Sequence, residues 1–264
     1  MKQRIITGII GATVFISMVV LGGLPFTLFI AVVASVAMIE LLKMKKIPTL
    51  SPIGFLSLFL MWLLLVPTTW VDLTFLSHVS KVEIFIFMIL ILLMVTVISK
   101  NVFTFDEAGF VILSTVYVGF GFHYLIMTRA AENGLALVFF VLFIIWATDS
   151  GAYFAGRAFG KRKLWPDISP KKTIEGSIGG IICALVVGVV FHFVFPIFSS
   201  YVLLFSVILV ASIFGQLGDL VESALKRHYA VKDSGTLLPG HGGILDRFDS
   251  LIYVMPILHL LQLI

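Results

Sequence analysis

Long apolar runs constrain this chain more than any other feature of its sequence. A helix that crosses the hydrocarbon core of a bilayer needs about 20 largely apolar residues, and the chain contains nine runs of this kind. Hydrophobic residues make up 60% of the sequence, which is more than a soluble core requires. We therefore predict an all-α, polytopic integral membrane protein with about nine transmembrane helices. The predicted spans are 5–21, 24–42, 53–71, 82–99, 109–127, 135–156, 177–195, 201–223 and 244–263.

The basic residues predict the orientation of these spans. If the amino terminus is cytoplasmic, 16 of the 18 Lys and Arg residues fall on the cytoplasmic side, and only Lys81 and Arg129 fall outside. Membrane proteins carry such an excess of basic residues in their cytoplasmic loops. We expect a multi-pass protein of the cytoplasmic membrane with its amino terminus inside. The chain carries no nucleic-acid-binding motif, and membrane topology is the better explanation of its basic loops.

The acidic residues are concentrated in the second half of the chain. Eight of the 14 Asp and Glu residues lie from Asp149 onward, most of them in or beside the cytoplasmic ends of the last four predicted spans. We find no internal repeat and no separate soluble domain. We expect one integral membrane domain over 1–264, in which 1–130 is mainly scaffold and 135–264 carries the chemistry. The single cysteine, Cys183, excludes an intramolecular disulfide.

Two pairs of carboxylates stand at the facing ends of the last two predicted spans. Asp219 and Glu222 are three residues apart and share a helical face. Asp246 and Asp249 repeat that spacing after Gly242-Gly243, where the chain can turn tightly. If the two spans are antiparallel neighbours, the pairs face each other. Oxygen ligands of this kind suit Mg²⁺ or a similar divalent cation.

Basic residues are interleaved with these acids, close to His241. One alternative is local salt bridging, such as Glu222 with a lysine four residues further on. The other is a metal–phosphate site, in which acids hold the metal while Lys and Arg bind phosphate oxygens. We favour the second, because four carboxylates exceed what local pairing needs. His241 is assigned to the phosphate side, with a general base or a turn as open alternatives. The basic residues are Lys226, Arg227, Lys232 and Arg247.

A second basic segment precedes the seventh predicted span. It follows Arg157 and includes Ser-Pro-Lys-Lys-Thr at 169–173. The hydroxyl groups beside two lysines at the start of a helix predict a phosphate contact. The same basic residues also satisfy the positive-inside bias.

Asp149 lies inside the sixth predicted span. An acid within a membrane helix indicates a functional site. The alternative is a packing role, in which Asp149 hydrogen-bonds to Thr148, Ser150 or Tyr153. The histidines His123, His192 and His259 lie in apolar spans and are predicted to be structural.

At these residues the sequence resembles the CDP-diacylglycerol synthase, or phosphatidate cytidylyltransferase, family. The family pattern reads Ser-x-x-Lys-Arg, then Lys-Asp, then Pro-x-His-Gly-Gly-x-x-Asp-Arg-x-Asp. The segment that begins at Asp149 and the one at 169–176 also resemble the family. The likeness covers about the last 120 residues in detail and the whole chain in hydropathy. The matching positions are Ser223, Lys226, Arg227, Lys232, Asp233, Pro239, His241, Gly242, Gly243, Asp246, Arg247 and Asp249.

The resemblance implies a nucleotidyltransferase of phospholipid biosynthesis. Its reaction would transfer a cytidylyl group from CTP to phosphatidate, giving CDP-diacylglycerol and pyrophosphate by metal-assisted in-line attack at the cytoplasmic boundary. Mg²⁺ or a similar divalent cation is the expected cofactor, and a second metal ion is left open. The bilayer is a further expected partner, and we expect a homodimer.

The resemblance also implies roles for individual residues. Asp219 and Asp246 are the leading metal ligands, with Glu222 and Asp249 next. The expected catalytic residues are Asp219, Asp246, Lys226 and His241. The expected substrate-binding residues are Asp149, Arg157, Ser169, Lys171, Lys172, Thr173, Ser223, Arg227, Lys232, Asp233 and Arg247.

Two other functions fit parts of the pattern. A cytidylyltransferase for another lipid phosphate would share the same residues. An ion-coupled transporter also holds buried acids, but such proteins commonly show inverted repeats and mid-membrane sites. Here the charges gather at one boundary, which disfavours transport.

Overall fold

The computed structural model describes residues 2–67 and 81–264, with side chains from residue 6 to 67 and from residue 82 onward. Within these ranges the chain forms nine α-helices and one small sheet, so the predicted all-α class is confirmed. The helices are α1 (Lys2–Leu21), α2 (Gly23–Met44), α3 (Pro52–Leu65), α4 (Lys81–Ile98), α5 (Phe105–Ala130), α6 (Gly134–Phe159), α7 (Ile174–Val194), α8 (Tyr201–His228) and α9 (Leu245–Leu260). The strands are β1 (Lys163–Trp165) and β2 (Ser169–Thr173).

Each predicted span falls on one of these helices, and residues 68–71 of the third span lie outside the described residues. Five of the described helices, α2, α5, α6, α7 and α8, are long and apolar enough to cross a membrane. The outward face of α7 exposes Ile182, Val186 and Val190. A large exposed apolar surface of this kind is typical of a protein embedded in lipid. The chain therefore has the features of an integral membrane protein.

Hydroxyl side chains begin four of the helices. Each accepts a hydrogen bond from a backbone N–H three residues further on, which satisfies one of the free donors at a helix start. At α5 the Glu107 carboxylate also accepts from the Thr104 N–H at 2.8 Å, which completes a capping box. The capping residues are Ser51 for α3, Thr104 for α5, Thr173 for α7 and Ser200 for α8.

α5 runs through the core and supports the start of α9. Phe122 is fully buried and packs against Phe248 of α9, with ring centroids 5.5 Å apart. Phe15 of α1 also packs against Phe248, at 5.2 Å. Gly121 brings α9 close, because a Cβ there would collide with Ile252. Apolar contacts from two other helices therefore hold the first turns of α9.

α6 and α7 pack closely through small residues. A Cβ on Gly151 would lie 2.7 Å from Cys183 Sγ, and a Cβ on Gly180 would lie 2.6 Å from the Thr148 carbonyl oxygen. Small residues at such crossings let helix backbones approach one another. This close contact places Asp149, on α6, beside α7.

The helix termini form two groups. α2 starts two residues after α1 ends and runs back along the bundle. Just after α2, the Lys45 ammonium lies 5.9 Å from the ring centroid of Tyr229, which follows α8. At the other end, Arg129 Nε near the end of α5 donates to the Val19 carbonyl oxygen at 2.5 Å. The end of the bundle where α2 and α8 finish is called the site end below.

The small sheet stands at the site end, where the sequence predicted a loop. β1 and β2 are antiparallel, with Lys163 opposite Thr173 and Trp165 opposite Ser169. The Glu175 carboxylate of α7 accepts from the N–H groups of residues 161 and 162 at 3.1 and 3.2 Å. The hairpin is therefore tied to the first turn of α7, and its lysines have a defined place beside α6 and α8.

Candidate active site

α8 and α9 are close antiparallel neighbours at the site end. Lys226, near the end of α8, contacts Asp246 in the first turn of α9. Gly218, two turns earlier, lies against Asp249 and Tyr253, further along α9. A Cβ on Gly218 would lie 2.9 Å from the Asp249 carbonyl oxygen. The last two helices are therefore antiparallel neighbours, which is the condition that the sequence argument for facing carboxylates required.

Lys226 bridges one carboxylate from each of these helices. Its Nζ lies 2.5 Å from Glu222 Oε2 and 2.6 Å from Asp246 Oδ1. The side chains of Glu222 and Asp246 are only 1% and 5% exposed. The salt-bridge alternative is therefore confirmed for Glu222 and Lys226. We call these three residues the lysine cluster.

Asp246 is held by the loop before α9 as well as by the lysine. Its Oδ2 accepts from the backbone N–H groups of Ser234 and Gly243, both at 2.8 Å. Gly242 has φ +82°, and a Cβ there would lie 2.5 Å from Asp246 Oδ2. Glycine suits both this left-handed backbone and the close approach. The predicted tight turn at the glycine pair is confirmed.

Three basic side chains line a cavity of about 370 Å³ between the hairpin, α6, α7 and α8. Lys172 Nζ lies 2.5 Å from Asp219 Oδ2, and these side chains are 26% and 34% exposed. Ser223 Oγ donates to Asp219 Oδ1 at 3.3 Å. We call this space the cationic cavity. Its lining includes Asp149, Arg157, Lys171, Lys172, Thr173 and Asp219.

A larger, mainly apolar cavity of about 580 Å³ lies between α1, α2, α6 and α9. Phe15, Phe29 and Leu142 are among its apolar walls. Asp149 lines this cavity as well as the cationic one. We call it the apolar cavity. Its polar side chains include Asp149, His241, Asp246, Arg247, Asp249 and Ser250.

The loop between α8 and α9 encloses a third space of about 510 Å³, lined by Lys232, Asp233, His241 and Arg247 among others. Four of the predicted substrate-binding or catalytic residues therefore lie together.

Two of the predicted substrate-binding residues, Arg227 and Ser169, lie elsewhere, and neither lines the cationic cavity. Arg227 Nε donates to the Ile168 carbonyl oxygen at 3.3 Å, while Ser169 pairs with Trp165 in the sheet.

His241 joins the loop to α1. Its ring packs under Gly8, where a Cβ would lie 3.0 Å from His241 Nε2. Its backbone N–H donates to the Leu238 carbonyl oxygen at 2.8 Å, and its own carbonyl oxygen accepts from Arg247 Nε at 3.1 Å. Within the described residues its buried Nδ1 has no hydrogen-bond partner. The turn role is confirmed, and the phosphate role stays a prediction.

The sequence model of the cytidylyltransferase family matches residues 2–264. The chain belongs to the cytidylyltransferase family. The resemblance based on the motif residues is confirmed, and with it the assignment of the chain as a nucleotidyltransferase enzyme.

Curated relatives in this family match nearly the whole chain. The phosphatidate cytidylyltransferase of Bacillus subtilis is 53% identical over 262 residues, which cover 99% of this chain and 97% of the relative. The protein of the same name from Staphylococcus haemolyticus is 46% identical over 263 residues, with 99% and 98% covered. That of Staphylococcus aureus is 44% identical over 264 residues, with the same coverage.

The acids of the site are suitable ligands for the predicted metal in their chemistry, but their side chains are too far apart to bind one ion together. Asp149, Asp219 and Asp249 are close enough to interact electrostatically, and a divalent cation would relieve that repulsion. In the described ranges, no group of three or more His, Cys, Asp or Glu side chains lies within metal-binding reach. Glu222 and Asp246 hold Lys226 instead. The metal and its ligands stay a prediction.

Asp149 faces the meeting point of the two cavities. Its neighbour Thr148 uses its hydroxyl toward the Ile144 carbonyl oxygen and Ser212 Oγ, at 2.7 and 2.9 Å. Across the described part of the chain, no hydrogen bond joins the Asp149 carboxylate to Thr148, Ser150 or Tyr153. The packing alternative therefore has no support in these contacts.

Sequence reasoning missed Glu40 on α2, which lies among the residues expected to be scaffold. Its side chain is 4% exposed and accepts hydrogen bonds from the loop before α9. It also missed Gln216, which lines the cationic cavity. The available signal for Glu40 was a lone acid inside an otherwise apolar run. Its partners could not be read from the sequence because they lie about 200 residues away.

Proposed function

We propose that this enzyme is a phosphatidate cytidylyltransferase, which transfers a cytidylyl group from CTP to phosphatidate and releases pyrophosphate. Two cavities that share Asp149 carry this proposal, because one is lined by cations and the other is mainly apolar. The cavity lined by cations suits a soluble polyanion, and the mainly apolar cavity suits a lipid. The names of the relatives give the same reaction.

The cationic cavity suits the nucleotide triphosphate. Arg157, Lys171 and Lys172 present charge-assisted donors to a space that also contains Thr173. Lys172 is held by Asp219 in a partly exposed pair, so phosphate oxygens can replace the carboxylate at little cost. The soluble substrate would therefore reach the site from the side of the hairpin.

The apolar cavity suits the acyl chains of phosphatidate. Its walls come from α1, α2, α6 and α9, and its polar residues include His241 and Arg247. A lipid whose chains occupy these walls would direct its phosphate toward those two side chains. The phosphate would then lie near Asp149, beside the triphosphate.

The chemistry requires little general-base assistance, because the attacking phosphate oxygen is already anionic. That oxygen forms a bond to the α-phosphorus of CTP, the bond from that phosphorus to the bridging oxygen breaks, and pyrophosphate leaves. The main barrier is repulsion between two anions. Fixed cationic side chains lower it by neutralising charge on both substrates and on the leaving group.

A divalent cation such as Mg²⁺ belongs to the proposal, with Asp219 and Asp246 as leading ligands and Glu222 and Asp249 next. When bound, it would supply further neutralisation of the triphosphate. The acids offer the hard oxygen atoms that Mg²⁺ prefers. A second ion is compatible with the number of carboxylates.

The proposal includes nine membrane spans, a cytoplasmic amino terminus and a site end that faces the cytoplasm. The distribution of 16 of the 18 Lys and Arg residues supports it. In a Cys183→Ser background, Thr236→Cys and Glu132→Cys place single thiols at opposite ends of the bundle. A membrane-impermeant thiol reagent should label Thr236→Cys only in inside-out vesicles, and the reverse pattern would contradict this orientation. A homodimer is also proposed, to be tested by light scattering in detergent.

The reaction is tested with purified protein, CTP labelled at the α-phosphate, phosphatidate in detergent micelles and Mg²⁺. We expect label in the lipid phase only when phosphatidate and CTP are both present, and pyrophosphate in equal amount. An isoprenoid phosphate in place of phosphatidate tests the other lipid class. Efficient labelling of that lipid alone would contradict the proposed substrate, and no labelled lipid with any divalent ion would contradict the enzyme class.

A further inference from the structure

A buried carboxylate from the first half of the chain holds the loop that carries Asp246. Glu40 Oε1 accepts from the Ile244 N–H at 2.8 Å, and its Oε2 accepts from the Leu245 N–H at 3.0 Å. α9 begins at Leu245, and its N-cap residue Ile244 makes no side-chain capping bond. Glu40 therefore satisfies free donors at this helix start, as a capping side chain does. Its negative charge also lies at the positive end of the α9 dipole.

Ser234 links Glu40 to Asp246. Its hydroxyl lies 2.8 Å from Glu40 Oε2 and 3.0 Å from Asp246 Oδ2, and it can donate to one of them at a time. Its backbone N–H donates to the same Asp246 oxygen at 2.8 Å. The opposite oxygen, Oδ1, contacts Lys226 of the lysine cluster. A continuous series of hydrogen bonds thus connects α2 with the proposed catalytic acid.

The loop is shaped around the Glu40 side chain. A Cβ on Gly235 or on Gly243 would collide with the Glu40 carboxylate group. Two glycines therefore leave the space that this side chain fills. The loop before α9 therefore folds over a carboxylate that α2 supplies.

We propose that Glu40 is a positioning residue for Asp246, acting through Ser234 and the first turn of α9. This inference rests on the proposed function, because the effect is read in cytidylyl transfer. Glu40 itself lines neither the cationic nor the apolar cavity, so it acts by fixing other groups. Residues that orient catalytic groups typically change activity by about 10- to 100-fold when replaced.

Glu40→Gln is the first test. The substitution keeps the side-chain volume but turns one acceptor into an NH₂ donor that faces a backbone N–H or the Ser234 hydroxyl. We expect kcat to fall by about 10- to 100-fold, with little change in the Michaelis constant for CTP. Ser234→Ala removes one hydrogen bond of the series and should lower kcat by about two- to tenfold. In the double variant, kcat should fall by less than the product of the two single fold-changes, because both residues act through the same series of hydrogen bonds.

Hydrogen exchange supplies a measurement that does not depend on activity. In both variants the peptide 233–247 should exchange faster than in the wild type, while peptides from α5 should not change. Glu107→Gln is the matched control, since it alters a capping carboxylate at the start of α5 and should leave kcat and the 233–247 peptide unchanged.

Wild-type kcat in Glu40→Gln and Ser234→Ala, or unchanged exchange of the 233–247 peptide, would overturn the inference. If Glu40→Gln does not fold, Ser234→Ala decides it by the same two measurements. If the wild type makes no CTP-dependent lipid product, the proposed function fails. The exchange experiment then decides by itself whether Glu40 anchors the loop.

Discussion

The site contains two sets of ion pairs that differ in exposure. In the lysine cluster, Lys226 is 16% exposed and lies between two nearly buried carboxylates. In the cationic cavity, Lys172 and Asp219 are 26% and 34% exposed. Asp219 and Lys226 lie less than two helical turns apart along α8. The ion pair of Asp219 is partly exposed, whereas the carboxylate partners of Lys226 are buried.

This difference in exposure predicts how easily each ion pair opens. Removing one partner of a buried pair leaves an uncompensated charge and typically costs about 3–5 kcal/mol. An exposed pair contributes about 0–1 kcal/mol and exchanges partners easily. The lysine cluster is therefore suited to holding α8 against α9, whereas the pair in the cationic cavity is suited to opening toward a substrate phosphate.

The largest effect is expected for Lys226→Ala, as a loss of stability. Glu222 and Asp246, which are 1% and 5% exposed, would lose the cation between them, and breaking a buried pair typically costs about 3–5 kcal/mol. Thermal unfolding in detergent should show a strongly lowered midpoint. Glu222→Gln in the same chain should recover part of the loss, because it removes one of the two carboxylates left without the lysine.

A midpoint within a few degrees of wild type in Lys226→Ala would show that the lysine cluster is not framework. The variant also tests the predicted phosphate role of Lys226, through the Michaelis constants for CTP and phosphatidate at a temperature where it is folded. Unchanged constants for both substrates would remove that role.

Asp219→Asn should lower turnover by about 100- to 1000-fold, the effect of removing one well-placed electrostatic group. Its unfolding midpoint should stay near wild type, because its ion pair is partly exposed. Asp167→Asn, in the turn of the hairpin, is the control and should keep full activity. Full turnover in Asp219→Asn would remove this residue from the predicted metal ligands.

Lys172→Ala should raise the Michaelis constant for CTP by about tenfold, since one charge-assisted hydrogen bond to phosphate is lost. The constant for phosphatidate should change little. Lys163→Ala removes an exposed lysine from the same hairpin, outside the cavity lining. Equal effects in both variants would indicate general electrostatic attraction instead of a contact in the cationic cavity.

Gly11→Leu should have the smallest effect and act on the other substrate. Gly11 lines the apolar cavity, and a Cβ there meets nothing within 4 Å. A leucine would occupy lipid space and raise the Michaelis constant for phosphatidate by about fivefold, at the lower end of overpacking costs. Gly109→Leu is the control, since Gly109 is equally open but lies on α5. A matching rise for CTP would contradict separate substrate sites.

Sequence hydropathy and composition were sufficient to predict the helices, whereas the pairing of α8 with α9 entered only as a condition. Local motifs marked the residues of the cationic cavity, because Lys171 and Lys172 stand beside hydroxyl residues just before a helix. The hairpin was not predicted, since strands of three and five residues rich in lysine lack an apolar alternation. Glu40 was missed because its function comes from partners brought to it by the fold.

The choice between metal binding and salt bridging illustrates the same limit. Spacing placed Glu222 and Lys226 on one helical face, which permits either role. Only the approach of Asp246 from α9 gives Lys226 a second carboxylate and turns a local pair into a buried cluster. Side-chain partners across helices depend on packing that no single segment specifies.

Photo-crosslinking tests the division of substrates between the two cavities most directly. A phosphatidate with a diazirine in the part of one acyl chain nearest the glycerol and a photoreactive CTP analogue are each bound to the wild-type protein and irradiated. We expect lipid label in residues 7–15 of α1, displaced by excess phosphatidate, and nucleotide label in residues 169–177. Label on the outward face of α7 supplies the non-displaceable background. Displaceable label from both probes in the same segment would contradict separate cavities for the two substrates.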